Sequence, residues 1–344
     1  MKVSTIGLDL AKSVFQVHGV DDAGHIVLRR QLRRSEMLKF FGRLPRCLLG
    51  MEACASAHYW ARQLSGLGHE VRLLPASHVK AYVKRGKKND ATDAAAICEA
   101  VSRPHMQAVP IKTAEQQAVL MLHRSRDLLI GQRTMLTNAL RAHLAEFGIV
   151  AALGNAGIKA LAAIVRGDVH EPLPPLARKA LGLLVAQIAD IEAKVGVLDA
   201  EILAWHKADT ISQRLASIPG IGPITASAMA ATVGGDVSRF ASGRQLAAWL
   251  GLVPRQNSSG GKDRLGAITK TGDRYIRRLL VVGATAMISQ ARRKKNAASA
   301  WLIKLLEAKP ARLVSVALAN KMARIAWAVL ARGTVYQTPP LATA

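Results

Sequence analysis

The order of apolar runs in the first hundred residues constrains this chain most. Val3–Asp9 and Val14–Val20 alternate apolar and polar residues as half-buried strands do, with a turn between them. Asp21-Asp22-Ala23-Gly24 supplies a second turn, and Ile26–Leu32 reads as a third strand. Ser35 is placed to cap a helix running to Leu44. A buried strand over Cys47–Met51, a helix over Ser56–Leu67, a strand over Glu70–Leu74 and a helix opening near Asp90 complete the order β-β-β-α-β-α-β-α.

Three antiparallel strands that feed a mixed sheet flanked by helices predict an α/β domain of the ribonuclease-H-like kind. Acids fall at telling points in it. Asp9 lies in the apolar run Ile6-Gly7-Leu8-Asp9, Glu52 closes Cys47-Leu48-Leu49-Gly50-Met51, and Asp90 and Asp93 open the last helix. An acid inside a core strand is costly unless paired or metal-bound. Adjacent central strands would bring Asp9 and Glu52 to one sheet edge, while residues three apart share a helix face. Four converging carboxylates repel one another unless hard cations neutralise them. Mg²⁺ takes a few carboxylates with water and phosphate oxygens, and a pair of such ions clamps the attacking and leaving oxygens of an in-line displacement. The competing reading is structural: Asp90 as a helix cap, Asp93 as a favourable first-turn charge, Glu52 as the cap of the next helix.

Charge points to the same substrate. The 344 residues carry 48 Lys+Arg against 23 Asp+Glu, a net +25, which favours a polyanionic partner. Lys80, Lys84, Arg85, Lys87 and Lys88 run just before Asp90, where a phosphate backbone would lie. Aromatic residues are only 4%, so backbone contact rather than base stacking is expected to dominate binding. Cys47, Cys54 and Cys98 have no metal-ligand spacing and read as reduced thiols of a cytoplasmic, nucleoid-associated protein. Asp9 and Lys12 interrupt any signal-peptide core, and the longest apolar stretch, Leu279–Ile288, is too short to span a bilayer.

Residues from about 113 to 207 are helical in pattern. Leu184, Ile188, Ile191, Val195, Leu198, Ile202 and Trp205 form a heptad seam, open to an intramolecular hairpin with the Leu122–Phe147 segment or to a dimerising coiled coil. Glu171-Pro172-Leu173-Pro174-Pro175 separates the two segments. Arg124, Arg126, Arg133, Arg141 and His143 fit a phosphate track or a solvated face equally well. Further on, Leu215–Ala226 has the pattern of a helix-hairpin-helix, with Gly220 and Gly222 allowing a tight turn whose N–H groups suit phosphate, and Pro223 opening the next helix. Arg292–Lys295 is a further candidate phosphate contact.

The C-terminal third carries "GIGPITA", "GLVPRQNSSGG" and "ITKTGDRYIRRLL". With the acidic N-terminal domain and helical connector, these motifs resemble the DEDD transposases of insertion-sequence family one-ten, and its subgroup eleven-eleven, over nearly the whole chain. The resemblance implies an N-terminal domain like that of Holliday-junction resolvases, with the D-E-D-D acids at Asp9, Glu52, Asp90 and Asp93. It implies a nucleophilic serine at Ser259, with Ser258 adjacent, forming a phosphoserine bond to DNA with the help of the acids and Mg²⁺. It also implies guidance by a structured RNA encoded by the element, which pairs with donor and target DNA, and a tetramer, a dimer of dimers, with composite sites.

The residues fit that chemistry. A serine needs a base or metal to become a good nucleophile. Arg255, Lys262, Arg264 and Lys270 ring the Gly-rich loop around Ser259, and Arg277 and Arg278 follow as further nucleic-acid contacts. An ordinary polar turn joining two strands is the plainer reading of Ser258–Gly261. The expected domains are 1–108, an acidic ribonuclease-H-like domain; 109–210, a helical connector; 211–336, a mainly α domain with the serine; and a disordered tail, 337–344. Two rival functions remain: a metal-dependent structure-specific endonuclease without a covalent intermediate, and a non-catalytic nucleic-acid-binding protein.

Overall fold

A computed structural model of the chain describes residues 2–83, 89–169, 171–234, 237–262, 264–293 and 299–337. Lys84, Arg85, Lys87, Lys88, Lys294, Lys295 and the tail beyond 337 lie outside the described residues. The chain forms two compact units, Met1–Gln117 and Ala118–Ala344.

The first unit is built on a five-stranded mixed sheet. β1 (Thr5–Asp9), β2 (Val14–Val20) and β3 (Ile26–Arg33) form an antiparallel meander, and β4 (Leu48–Glu52) and β5 (Glu70–Leu74) run parallel to β1 in the order β3-β2-β1-β4-β5. One face of the sheet buries Ile6, Leu8, Phe15, Val17, Leu49, Met51 and Leu73 with Trp60, Ala61 and Leu64, and the central strands β1 and β4 are buried on both faces. Helices α1 (Met37–Phe41), α2 (Ala57–Gly66), α3 (Ala76–Val79) and α4 (Asp90–Val101) connect and flank the strands.

The helix expected from Ser35 to Leu44 is shorter. A 3₁₀ turn at Arg34–Glu36 precedes α1, and the Glu36 carboxylate accepts a hydrogen bond from the Arg33 backbone N–H at 2.7 Å, so Glu36 anchors the entry rather than Ser35.

In the second unit α5 (Ala114–Ala145), which begins just before the boundary, and α7 (Pro175–Ala208) are long helices with α6 (Asn155–Arg166) between them. Leu140 and Leu144 of α5, Leu161 and Val165 of α6, and Leu181, Val185 and Ile188 of α7 share one core. Ile188, Ile191, Val195 and Ile202 of the heptad seam are buried inside this chain, so the hairpin reading describes them. Ion pairs Arg126–Asp199 and Arg133–Glu192 join α5 to α7, and Arg141 donates to the Ala151 and Ala152 carbonyls at 2.9 and 2.7 Å. These three arginines are therefore committed inside the fold.

The remainder comprises α8 (Thr210–Ala216), α9 (Pro223–Val233), α10 (Gly243–Trp249), a hairpin of β6 (Pro254–Gln256) and β7 (Leu265–Ile268), then α11 (Arg274–Arg293), α12 (Ala300–Ala308) and α13 (Ala311–Arg332). By length and composition α13 could cross a membrane. Its Val314, Leu318, Met322, Ala326 and Val329 are instead buried in the core shared with α9 and α11. Architecture and sequence patterning agree on a mixed α/β first part and a mostly helical second part.

Candidate functional site

Two places carry the candidate residues, one in each unit. In the first, β1 ends at Asp9 and its parallel neighbour β4 ends at Glu52, with Leu8 level with Met51. Both acids thus leave the sheet at the same end. α4 packs across β1 and β4 with its first turn, carrying Asp90 and Asp93, near that end. Two glycines make this possible. Gly7 and Gly50 face each other across β1 and β4. A Cβ on Gly7 would stand 2.1 Å from the Ala94 carbonyl oxygen, and one on Gly50 would stand 2.7 Å from Val101 Cβ. Glycine here is a requirement of close approach.

Asp90 and Asp93 both stand in the first turn of α4, where negative charge is favourable, but neither Asp90 nor Glu52 makes a capping bond. Asn89 caps α4, its Oδ1 accepting from the Thr92 N–H at 2.8 Å while its own N–H donates to Thr92 Oγ1 at 3.1 Å. Ser56 occupies the cap position of α2, with no side-chain capping bond from Glu52. The Asp9 carboxyl is pushed up from the usual 3.8 to about 6, first by burial and then by the charges of Asp93, Asp90 and Glu52. Asp9 therefore feels the charges of the other three acids. Burial and the charges of Glu52 and Asp9 also raise the thiol of Cys54, which is exposed and which the sequence did not place beside the acids.

Among the described residues no three or more His, Cys, Asp or Glu side chains form a ready-made metal-ligand set. What the site offers is donor chemistry: hard carboxylate oxygens on two strand ends and one helix start. Carboxylate oxygens are the donor type that hard divalent cations take.

The second place is the β6–β7 hairpin. The Asn257 N–H donates to the Arg264 carbonyl at 2.9 Å and the Lys262 N–H to the Ser259 carbonyl at 3.1 Å. Gly260 and Gly261 have φ of 57° and 76°, the pattern of a type I′ turn, which only glycine-like residues adopt readily. Ser258 and Ser259 differ. Ser258 Oγ accepts from the Arg264 N–H at 3.2 Å, while Ser259 enters the turn through its backbone carbonyl. Ser259, Arg255, Lys262, Arg264 and Lys270 are all exposed.

The base of the hairpin is fixed. A Cβ on Gly251 would meet the Thr271 carbonyl oxygen at 2.3 Å, and one on Gly272 the Trp249 carbonyl oxygen at 1.8 Å. Arg277 is buried and donates to the Leu250 and Thr271 carbonyls at 2.9 and 2.6 Å. The expectation that Arg277 touches nucleic acid is corrected here, because its guanidinium is spent on backbone carbonyls. Arg278 is exposed, pairs with Asp127 and lies 5.3 Å from the centre of the Tyr275 ring.

Gly220 has a packing role as well. It has φ of 85° in the turn between α8 and α9, and a Cβ there would meet Met287 Sδ at 2.6 Å. It is needed for packing against α11. Gly222, by contrast, is exposed, with open space for 4 Å around the point where a Cβ would stand, and it caps α9 ahead of Pro223. Arg292 and Arg293 are exposed in the last turn of α11.

Known proteins resemble both halves. Residues 6–149 match the model of a transposase family of the DEDD, IS110 type, and residues 212–299 match the transposase IS116/IS110/IS902 family. The chain is 53% identical over 338 residues to a "Probable family 20 transposase" of Pseudomonas aeruginosa, covering 98% of this chain and 99% of that protein. It is 42% identical over 342 residues to the transposase for insertion sequence element IS1328 of Yersinia enterocolitica, covering 97% and 98%. It is 38% identical over 335 residues to the transposase for insertion sequence element IS1111A of Coxiella burnetii, covering 97% and 92%.

Proposed function

The chain belongs to the IS116/IS110/IS902 family of DEDD transposases, enzymes that cut and rejoin DNA, and on that premise we propose how its residues divide the work. Asp9, Glu52, Asp90 and Asp93 hold divalent metal, Mg²⁺ by preference, at the end of a ribonuclease-H-like sheet. Bound there, the metal supplies charge stabilisation at the scissile phosphate. The observation that carries this is the delivery of four acids to one sheet end, with Asp9 sensing the other three.

Ser259 is the nucleophile. Its hydroxyl attacks the DNA phosphorus, the 3′ or 5′ oxygen of the broken strand leaves, and a phosphoserine bond conserves the energy for rejoining. Ser258 and Ser259 are both exposed on the same hairpin, and what favours Ser259 is the engagement of Ser258 Oγ with the Arg264 N–H. Arg255, Lys262, Arg264 and Lys270 neutralise phosphate charge around the tip, and Gly222 offers a helix start to the backbone in a helix-hairpin-helix contact. Lys84, Arg85, Lys87, Lys88 and Arg278 add phosphate contacts.

The further parts of the reading are guidance by an element-encoded RNA that pairs with donor and target DNA, and assembly as a tetramer. Exposed Met121, Leu128 and Met135, spaced by sevens on α5, suit helix pairing between copies.

Covalent capture tests the mechanism. Protein, element-derived RNA, Mg²⁺ and labelled donor and target DNA are mixed and run on denaturing gels. A protein–DNA band present in wild type and Ser258→Ala, and lost in Ser259→Ala and Asp9→Asn, is the expected result. Cleaved DNA without an adduct, indifferent to Ser259→Ala and abolished by Asp9→Asn, would make the chain a metal-dependent nuclease.

A further inference from the structure

The sheet end that carries the acids also borders a second feature, a cavity of about 830 Å³ whose walls include Lys12, Val14, Arg33, Arg34, Tyr59 and Trp60. The topology makes them neighbours. Val14, at the start of β2, pairs with Arg33 at the end of β3, level with the end of β1 where Asp9 sits, and α2 starts shortly after Glu52.

Three observations define what the cavity can take. Lys12, Arg33 and Arg34 are exposed cations, and Arg34 lies over the rings of Phe15 and Trp60 at 5.9 and 5.3 Å, with a hydrogen bond to the Lys12 carbonyl at 3.4 Å. Tyr59 is 42% exposed and meets Trp60 at a steep angle between the rings, with ring centres 5.1 Å apart. Trp60 is only 3% exposed and lies against both Tyr59 and Arg34, so it backs the cavity wall.

Cations for phosphate beside an exposed aromatic ring together describe a nucleotide whose base is out of a duplex. We propose that this cavity seats one unpaired nucleotide of a single strand beside the acids. Tyr59 stacks on its base against the wall formed by Trp60, and Lys12 and Arg33 hold the adjoining phosphates. This rests on reading the acids as the place where strands are cut. It also concentrates stacking at one point in a chain with few aromatic residues.

The test uses the full chain and two labelled probes, an oligothymidylate and an oligouridylate, with fluorescence anisotropy at near-physiological salt. Tyr59→Ala is expected to weaken binding of at least one probe by about tenfold, while Tyr59→Phe, which keeps the ring, stays close to wild type. The more affected probe identifies the strand as DNA or RNA. Halogenated-uracil versions of the same probes, irradiated on the protein, are expected to crosslink to Tyr59 or Trp60 in the tryptic peptide 47–62. Unchanged affinity in Tyr59→Ala, or crosslinks confined to other peptides, overturns the proposal. Because Tyr59 is exposed, its substitution leaves the core intact, and matching thermal melts verify this. Normal DNA breakage by Asp9→Asn would remove the acid reading and leave the Tyr59 result standing.

Discussion

Nδ1 of His123 lies 3.0 Å from the hydroxyl of Tyr275, joining α5 to α11 through a side chain that is 1% exposed. On the other side of the ring, Nε2 is 3.1 Å from Ser227 Oγ, whose own proton goes to the Pro223 carbonyl at 2.7 Å. The Ser227 oxygen must then accept, so His123 carries its proton on Nε2 and Nδ1 accepts from Tyr275. Tyr275 in turn accepts from Arg126, which pairs with Asp199 of α7. One polar chain thus ties three helices of the second unit to the start of α11, directly after the β6–β7 hairpin.

Tyr275→Phe removes the donor that His123 Nδ1 needs. The expected loss is about 1–3 kcal/mol of stability, the usual result of stranding a buried polar atom. Urea unfolding of the full chain measures it, and an unchanged midpoint would count against that tautomer.

The pH dependence of the two units runs in opposite directions. Burial lowers His123 from the usual 6.5 to about 4, so the unfolded chain binds the extra proton between those values. Its contribution is fully present above pH 6.5 and is lost as pH falls towards 4. Asp9 is raised from 3.8 to about 6, so the folded state holds the proton there, and acidification from pH 6 to 3.8 relieves it. At neutral pH without metal, Asp9→Asn is expected to melt higher than wild type, with the advantage shrinking to nothing below pH 4. Mg²⁺ is expected to raise the wild-type melting temperature and leave Asp9→Asn unmoved. A lower melting point for Asp9→Asn at neutral pH would sink this account.

Gly7→Ala is expected to cost about 1–3 kcal/mol and to abolish strand breakage, because the new methyl meets backbone at Ala94 and Cys98 rather than a yielding side chain. Gly131→Ala is the matched control. It lies within α5 with nothing near its would-be Cβ, and a gain of about 0.5–1 kcal/mol is expected. Thermal melts and DNA breakage on the same preparations compare them.

Arg277→Ala is expected to suppress covalent capture through a loosened hairpin while leaving the salt slope of DNA binding unchanged. A phosphate contact would instead lower that slope by about one. Both bonds come from one guanidinium nitrogen, so Arg277→Lys, whose ammonium also carries several donors on one nitrogen, is expected to restore part of the capture lost in Arg277→Ala.

Much of the first unit was legible because its strands alternate and its acids close apolar runs: Asp9 and Glu52 stand where their neighbours Leu8 and Met51 imply. The reasons that α4 comes close were not. Gly7 and Gly50 are unremarkable until parallel register sets them side by side. Arg277 and Arg278 look alike in sequence, yet adjacent helix positions point apart, and only one turns inward. Gly220 read as a phosphate cradle because its neighbours in three dimensions, Met287 and Met322, come from distant segments. Local pattern identifies elements; which face meets what depends on contacts it does not encode.

The paired glycines also mean that the four acids ride on two pieces. Asp9 and Glu52 belong to the sheet, and Asp90 and Asp93 to the helix resting on it. The thickness of that layer, set by two hydrogen atoms where side chains would stand, is the tolerance to which the halves are machined. A change of layer spacing moves two acids together and leaves the other two behind, so the site fails in halves, not one ligand at a time.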